Sequence, residues 1–281
     1  MVFHKQDSLK ASLSQYVSKQ KKIGFVPTMG ALHKGHLSLV KKALKENDAV
    51  VVSVFVNPTQ FDNASDLKKY PRTLAADVAL LNTLKGTILI YAPDASDLYG
   101  EKVSSTHYRF GGIEHQMEGK YRKGHFEGVL AVINQFLKII EPKYMFLGEK
   151  DFQQIKVVQD FINKYKIKIK ILAFPTVRDK RGLALSSRNS LLNKKQMVIA
   201  AYLFKTIRYI SKKAVANPKK INELKKWGKQ KLLDHGFDHV DYIEIYNENN
   251  FSEIGITRKN LRVFAAATLG KVRLIDNCVV R

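Results

Sequence analysis

Cysteine is almost missing from this chain, because only Cys278 occurs among its 281 residues. A single cysteine excludes an intramolecular disulfide and any zinc site built on cysteine ligands. Cys278 lies in an apolar run near the end of the sequence, and that run predicts a buried strand. We therefore expect it to be a small core residue and not a reactive thiol.

Long apolar runs are absent as well, since no stretch of about eighteen apolar residues occurs. The first ten residues include Lys5, Asp7 and Lys10, so they lack the apolar segment of a signal peptide. We expect a cytoplasmic protein that does not bind a membrane. Internal repeats and low-complexity tracts are missing too, and a length of 281 residues favours two moderate domains.

Acidic residues are few relative to basic ones, with 25 Asp and Glu against 48 Lys and Arg and a formal net charge of +23. A charge of this size raises nucleic acid as a partner. The excess is spread over both halves of the chain, mostly as lysine on predicted helix faces with few aromatic residues between them to stack on bases. A solvated lysine-rich surface is therefore favoured, and no nucleic-acid partner is expected. A basic nucleic-acid-binding module remains the alternative.

The most informative stretch runs from residue 24 to residue 36. It joins the short β-branched run 23–26 to an amphipathic segment at 37–47 through a glycine turn, which predicts a strand, a tight turn and a helix. Glycines let the backbone approach a ligand closely, and the first N–H groups of a helix attract an anion. His33 and His36 are three residues apart and share one helix face. The stretch predicts a phosphate-binding turn.

Up to residue 174, apolar strands alternate with amphipathic helices. The predicted strands are 23–26, 49–56, 88–92, 144–147 and 167–174, and the predicted helices are 7–20, 37–47, 74–84, 126–140 and 151–165. Such alternation predicts a Rossmann-like, doubly wound parallel sheet of the α/β class. A long connection at 93–125 contains a small alternating run at 103–110 that reads as a further strand.

After Pro175 the pattern changes to helices followed by adjacent strands. We predict helices at 194–211 and 221–233 and strands at 240–246, 261–267 and 272–280. This order favours a smaller α+β domain with an antiparallel sheet. The chain is accordingly divided into domains 1–174 and 175–281.

Several motifs carry a resemblance to a known family. The run Pro-Thr-Met-Gly-Ala-Leu-His-Lys-Gly-His at 27–36 resembles the signature of pantoate–β-alanine ligases, and its HxGH part is similar to the element shared by the wider nucleotidylyl-transferase superfamily. Further matching stretches lie at 57–61 with 70–73, 118–119 with 124–129, 148–154, 182–189 and 270–277. The resemblance covers nearly the whole chain.

The resemblance implies a two-step reaction. ATP and (R)-pantoate would form pantoyl adenylate and diphosphate, and β-alanine would then displace AMP to give pantothenate. It further implies Mg²⁺, a homodimer formed through the first domain, binding of ATP and pantoate by residues 1–174, and a lid function for residues 175–281. A nucleotidyltransferase of the same superfamily acting on another small acid is the enzymatic alternative.

The resemblance also implies site residues. Catalytic roles fall to His33, His36, Lys150 and Arg188. ATP-binding roles fall to Met29, Gly30, Ala31, Leu32, His33, Lys34, Gly35, His36, Gly148, Glu149, Lys150, Asp151, Val177, Leu185, Ser186, Ser187 and Arg188. Gln60 and Gln154 match the ligands of pantoate and β-alanine, since amides both donate and accept hydrogen bonds.

Some assignments stay open on the residues themselves. Asp77 is a candidate magnesium ligand that rests on one carboxylate. Asp151 could serve only as a helix N-cap, and Asn57 only as a turn residue. Two positions depart from the family pattern, namely Lys123, where proline is usual, and Arg181, where an acidic residue is usual. Both bear on loop closure and not on the reaction.

Overall fold

The computed structural model describes residues 1–100, 112–252 and 260–281, so the predicted strand at 103–110 lies outside the described residues. The chain forms two compact units. Unit 1 comprises Met1–Glu149 and Gln153–Pro175, and unit 2 comprises Lys150–Phe152 and Thr176–Arg281. The short segment Lys150–Phe152 therefore groups with the C-terminal residues, although it lies inside the predicted first domain. The roles assigned to the two domains stay predictions.

Unit 1 contains a six-stranded parallel sheet. Its strands are β1 (Val2–Phe3), β2 (Ile23–Thr28), β3 (Ala49–Val54), β4 (Ile88–Tyr91), β5 (Tyr144–Gly148) and β6 (Lys170–Phe174). They are arranged in the order β1-β4-β3-β2-β5-β6, and each neighbouring pair is parallel. The inner strands β4, β3, β2 and β5 are short apolar runs that are mostly buried on both faces, as expected in a sheet covered by helices.

Eight helices accompany this sheet among the described residues. They are α1 (Gln6–Val17), α2 (Lys34–Glu46), α3 (Ala64–Lys69), α4 (Leu74–Leu81), α5 (Ala95–Tyr99), α6 (Met117–Tyr121), α7 (His125–Ile140) and α8 (Phe152–Lys164). Val26, Val40, Val50 and Phe146 belong to one buried cluster that joins α2 to the sheet. The predicted doubly wound parallel sheet is confirmed. The strand order reverses between β2 and β5, and ligands of such sheets bind at the carboxyl ends of the strands near this point.

Several boundaries differ from the sequence prediction. Helix α2 begins at Lys34 and not at residue 37, because His33 caps it and the polar first turn carries no apolar periodicity. Strand β1 and the helices α3, α5 and α6 were not predicted, since each is six residues or shorter and too short to show a period. Strand β6 begins at Lys170, three residues later than predicted.

Unit 2 contains helices α9 (Lys194–Ala216) and α10 (Ile221–Asp234) and an antiparallel sheet of β7 (His239–Asn247), β8 (Leu261–Leu269) and β9 (Val272–Val279). The central strand β8 is buried along almost its whole length. Its Ala265 and Ala267 lie in a core with Ile207 of α9 and Ile243 of β7. The prediction of a small α+β fold with an antiparallel sheet is confirmed. Among the described residues, no helix is long and apolar enough to cross a membrane.

Candidate active site

The two histidines of the HxGH motif form the N-terminal cap of α2. His33 is the N-cap residue, and its Nδ1 accepts a hydrogen bond from the Gly35 N–H at 3.1 Å. The Nδ1 atom of His36 accepts one from the His33 N–H at 3.3 Å, which completes a reciprocal capping box. The rings stack with centroids 4.0 Å apart. The predicted common face of the two histidines is thus present, with a capping role that the sequence did not reveal.

These cap bonds define the chemistry of both imidazole rings. An Nδ1 atom that accepts a backbone N–H carries no proton, so the neutral ring bears its proton on Nε2. Each ring therefore has an N–H donor on the side opposite its cap bond. Two such donors at the N-terminus of a helix suit an anion with several oxygens, and the helix dipole adds partial positive charge there.

The loop between β2 and α2 holds an unusual backbone. Gly30 has φ 82° and Ala31 has φ 48°, so two successive residues adopt left-handed conformations. The buried carboxylate of Asp77 in α4 accepts hydrogen bonds from the Ala31 N–H at 3.0 Å and the Leu32 N–H at 2.7 Å. The hydroxyl of Thr73 also lies 3.3 Å from both of its oxygens. These bonds hold the strained loop in place.

The contacts of Asp77 favour a role in holding the loop over the candidate magnesium role. Both carboxylate oxygens already accept backbone N–H groups, and a third donor faces them. No group of three or more His, Cys, Asp or Glu side chains among the described residues is arranged to hold a metal ion. Asp77 instead acts on the backbone of the loop that precedes His33.

Gln60 lies in a buried amide network after β3. It belongs to a 3₁₀ turn, Pro58–Gln60, whose N-cap is the buried Asn57. The Asn57 amide donates to the carbonyl of Gly128 at 3.0 Å and lies 3.5 Å from Gln60 Oε1, while its own oxygen accepts from the Tyr99 hydroxyl at 2.9 Å. Burial raises the pKa of Tyr99 to about 12, so this hydroxyl stays a donor. Asn57 is therefore a turn residue, as one alternative proposed, and it orients Gln60.

Residues of the motif at 118–129 contact the 3₁₀ turn Pro58–Gln60. His125 Nδ1 donates to the Gln60 carbonyl at 2.9 Å, and Arg122 donates to the same oxygen at 3.3 Å. At Gly128, a side-chain Cβ would come within 2.2 Å of the Thr59 carbonyl oxygen, so α7 packs directly on the turn. Lys123 is exposed beside this arrangement. Its departure from the family pattern leaves the contacts to Gln60 intact.

The neighbouring amides Gln153 and Gln154 have different environments. Gln153 is buried, donates to the carbonyls of Ile113 and Gln116 at 2.8 Å each, and accepts from the Glu118 N–H at 3.0 Å. The side chain of Gln154 is only half-buried and makes no hydrogen bond within the described part of the chain. Gln153 is consequently structural, and Gln154 retains an amide with capacity for a ligand.

Lys150 lies in a 3₁₀ turn, Glu149–Asp151, directly after β5 and before α8. Its backbone carbonyl accepts from the Asn277 amide of β9 at 2.9 Å, and its ammonium pairs with Asp151 at 3.3 Å. Phe152 packs against Phe251 and Phe264 of unit 2. Asp151 is exposed and precedes α8, and its side chain pairs with this lysine.

The Ser-Ser-Arg segment follows a short hairpin in unit 2. Leu185 N–H donates to the Val177 carbonyl at 2.9 Å, which closes the hairpin between two predicted ATP-binding residues. Ser186 then caps a 3₁₀ helix, Ser187–Leu191, by accepting from the Arg188 N–H at 3.3 Å. Arg181 is exposed and pairs with Asp179 at 3.1 Å. The departure at Arg181 thus has a partner within its own turn.

The sequence is similar to known proteins along almost its whole length. A family model described as pantoate–β-alanine ligase matches residues 1–279. This chain belongs to the pantoate–β-alanine ligase family. It is 42% identical to a pantothenate synthetase of Flavobacterium psychrophilum over 279 residues, which is 99% of this chain and 98% of that protein.

Solved structures of the family resemble the fold described above. The pantothenate synthetase of Thermus thermophilus superposes with a TM-score of 0.90 at 33% identity, covering 99% of both chains. The pantoate–β-alanine ligase of Francisella tularensis, solved in complex with β,γ-ATP and β-alanine, has a TM-score of 0.83 at 35% identity, covering 99% of this chain and 97% of that one.

The structure adds polar residues that the sequence reasoning missed. Asp276 and Asn277 are adjacent buried residues of β9, and Arg178 pairs with Asp276. Two successive polar residues inside an otherwise largely apolar strand are visible in the sequence and indicate a structural role, because buried polar groups need hydrogen-bond partners. The role of Asp77 could not be read in this way, since its acceptor function depends on a loop 45 residues away.

Proposed function

We propose that this protein condenses pantoate with β-alanine to pantothenate through a pantoyl-adenylate intermediate. The observation that carries the proposal is the stacked His33–His36 pair, whose rings cap the N-terminus of α2 through their Nδ1 atoms, in a chain of the pantoate–β-alanine ligase family. The related Francisella enzyme was solved in complex with β,γ-ATP and β-alanine. The phosphate groups of ATP carry the anionic oxygens that imidazole N–H donors bind.

In the first step a carboxylate oxygen of pantoate attacks the α-phosphorus of ATP. The bond from this phosphorus to the bridging oxygen breaks, and diphosphate leaves with the electron pair. Negative charge grows on the phosphate oxygens, and the protein contributes by positioning and by charge stabilisation. His33 and His36 donate Nε2–H bonds to these oxygens. Each such donor is worth about 3 kcal/mol, or roughly 10² to 10³ in rate.

In this proposal, cationic side chains bind the leaving diphosphate. Lys150 neutralises phosphate charge, and Arg188 offers a planar fork of donors that matches phosphate oxygens. Ser186 and Ser187 donate their hydroxyls to the same group. The half-buried position of these side chains supports the proposal, because charge interactions strengthen where water is partly excluded.

Amides bind the acid in this proposal. Gln60 is held by the Asn57 network, and Gln154 keeps an amide that no other described residue uses. Amides can donate to the pantoate carboxylate and accept from its hydroxyls. Met29 lies against the Gln60 amide, so it belongs to the same pocket wall. The nucleotide is bound by the remaining predicted residues of the 29–36 loop, by Gly148, Glu149 and Asp151, and by Val177 and Leu185.

In the second step the β-alanine amine attacks the acyl carbon of the adenylate. The carbon–nitrogen bond forms, the bond to the phosphate oxygen breaks, AMP leaves and the nitrogen loses a proton. AMP is a far better leaving group than oxide from a free carboxylate, which is the reason for the first step. ATP enters as its magnesium complex, in which phosphate oxygens and water are the usual ligands of the ion. We further propose a cytoplasmic homodimer, as the family resemblance implies.

The test begins with product analysis of the purified protein. AMP and pantothenate should form only when ATP, Mg²⁺, pantoate and β-alanine are all present, whereas diphosphate release and formation of the adenylate should need only ATP, Mg²⁺ and pantoate. Formation of ADP would contradict the proposal. Trapping of pantoyl adenylate by mass spectrometry in the absence of β-alanine tests the intermediate.

The role of His36 is tested with variants that separate its two nitrogens. An asparagine side chain can accept the His33 N–H as Nδ1 does, but it lacks the distal donor. His36→Asn should therefore keep the melting temperature of the wild type and lose roughly 10² to 10³ in kcat. Ser38→Ala removes a neighbouring bond to the Gly35 carbonyl and is the matched control, which should stay within about threefold of wild type. A His36→Asn turnover within tenfold of wild type would refute the donor role.

A further inference from the structure

Strand β9 carries two adjacent buried polar residues. Asp276 and Asn277 are each 4% exposed, and the strand is otherwise largely apolar. Successive strand residues point to opposite faces of a sheet, so the two side chains serve different neighbours. Buried polar groups of this kind are costly unless their partners are well placed.

Asn277 holds the segment that contains Lys150. Its Nδ2 donates to the Lys150 carbonyl at 2.9 Å, and its Oδ1 accepts from Arg262 at 2.5 Å. The guanidinium of Arg262 lies 3.9 Å from the centroid of the Phe152 ring and also pairs with Glu248 at 2.6 Å. The Lys150–Phe152 segment is thus anchored both at its backbone and at its ring.

Asp276 holds the hairpin that leads to the Ser186–Arg188 segment. Its two carboxylate oxygens accept from both terminal nitrogens of Arg178 at 2.5 and 2.8 Å. Arg178 also donates to the Gly182 carbonyl at 3.1 Å, and its guanidinium lies 3.4 Å from the centroid of the Phe204 ring. Gly182 has φ 96° and turns the hairpin back, so one guanidinium links the turn to β9.

We propose that Asp276 and Asn277 are positioning residues for the ligation. Asn277 sets the place of Lys150, and Asp276 sets the place of the hairpin that carries Ser186, Ser187 and Arg188. Adjacent residues of one rigid strand thereby hold two phosphate-binding segments that are distant in sequence. This inference rests on the proposed function, since it assigns Lys150 and Arg188 to the triphosphate.

A purely stabilising role would give a different pattern in mutants. Asn277→Asp keeps the size of the side chain and one oxygen for Arg262, but it places an oxygen against the Lys150 carbonyl. We expect ATP–diphosphate exchange, measured as kcat/KM for ATP, to fall about 10- to 100-fold, since small displacements of catalytic groups cost this much. Ser211→Ala is the control, because it removes a buried bond to Val279 of the same strand at 2.9 Å. It should lower the melting temperature and leave activity within about twofold.

Double mutants decide between positioning and stability. In a Lys150→Ala background, Asn277→Asp should cost less than about threefold, because the group that it positions is gone. Asp276→Asn should likewise reduce exchange only slightly in an Arg188→Ala background. In a Lys150→Ala background it should keep its full effect. An equal loss of activity from Asn277→Asp in the wild-type and Lys150→Ala backgrounds would overturn the inference.

Two further outcomes are separable. Asn277→Ala removes the bond without adding charge and replaces Asn277→Asp in the cycle if the latter does not fold. A wild-type protein that forms no pantothenate refutes the proposed function itself. A wild-type protein that is active, with Asn277→Asp indistinguishable from Ser211→Ala, refutes only the positioning role.

Discussion

At the residue scale, single polar side chains control the backbone around the predicted phosphate site. His33 and His36 cap α2 with one ring nitrogen each, and Asp77 accepts the two N–H groups of the preceding left-handed turn. A change at any of these positions alters both local stability and the direction of a donor. Variants must therefore be chosen so that the two effects can be separated.

Replacement of Asp77 by asparagine should destabilise the loop. The amide NH₂ would face a backbone N–H, so one buried donor at Ala31 or Leu32 would lose its acceptor. We expect the free energy of unfolding to fall by about 2 kcal/mol in urea titrations, together with a higher KM for ATP. Thr73→Val, which removes only the weaker 3.3 Å contacts, is the control and should cost under about 1 kcal/mol.

The Asp77→Asn variant also tests whether Asp77 is a ligand of magnesium. A ligand of magnesium would shift the Mg²⁺ concentration needed for half-maximal activity, and a residue that only holds the loop would not. Asp77→Asn with unchanged stability and a raised Mg²⁺ requirement would contradict the loop interpretation. The requirement is measured by titrating Mg²⁺ at saturating ATP.

Cys278 should be inert in the folded protein. Burial raises the pKa of its thiol to about 12, and the nearby Asp276 carboxylate adds to the shift. Because the thiolate is the reactive form, the reaction with a disulfide reagent at pH 8 should be at least about a hundredfold slower in the native protein than in urea. Absorbance of the released thiolate follows the rate. Equal rates in both conditions would show that the thiol is accessible and ionisable.

At the element scale, helix α7 acts as a support for the turn that carries Gln60. Its first residue, His125, donates to the Gln60 carbonyl, and Gly128 lets the helix approach the turn closely. The packing is direct, because the Asn57 amide also bonds to the Gly128 carbonyl. The position of Gln60 therefore depends on a helix that contributes no ligand in our proposal.

Gly128→Ala should displace this turn. The added methyl would lie 2.2 Å from the Thr59 carbonyl oxygen, so backbone must shift, and overpacking of this kind costs about 1–3 kcal/mol. We expect KM for pantoate to rise by about tenfold or more while KM for ATP changes little. Gly100→Ala is the control for replacing a glycine away from this turn. Its added methyl has no atom within 4 Å, and its φ of 70° gives only backbone strain. Equal changes of the two KM values would argue against a specific effect on Gln60.

At the scale of the whole molecule, the net charge of +23 is the dominant property. Lysines are frequent on helices such as α10, where Lys226 is exposed, Lys229 is half-buried and Lys225 pairs with Glu244 of β7. Such a surface attracts polyanions in general and selects none of them. It is compatible with a small anionic substrate such as ATP.

Binding to RNA should therefore be weak and governed by salt. We expect a fluorescently labelled single-stranded RNA to bind no more tightly than about 1 μM at physiological ionic strength, as for non-specific contacts with phosphates. Anisotropy titrations at several salt concentrations measure this. Nanomolar binding under the same conditions would support a nucleic-acid role, and inhibition of ligation by such RNA would locate it at the active site.

The predictability of the fold followed from local patterns. Nearly continuous apolar runs at 23–26 and 49–56 predicted β2 and β3, and helical periodicity at 126–140 predicted α7, because elements that bury one or both faces show it in the sequence. The short α3, α5 and α6 were not predicted, since helices of five or six residues show no clear period. The site was predicted through motif resemblance, and the roles of its residues remain predictions.

The amino-acid sequence alone was enough for the longer helices and strands, for the family resemblance, and for the common face of His33 and His36, because each shows in short local runs of residues. The folded chain was needed to show that Asp77 supports the loop, that Gln153 is structural, and that Asn277 holds Lys150. The Asn277–Lys150 bond joins residues 127 positions apart. Contacts of this range leave no periodic signal, since they arise only after distant strands and helices have packed.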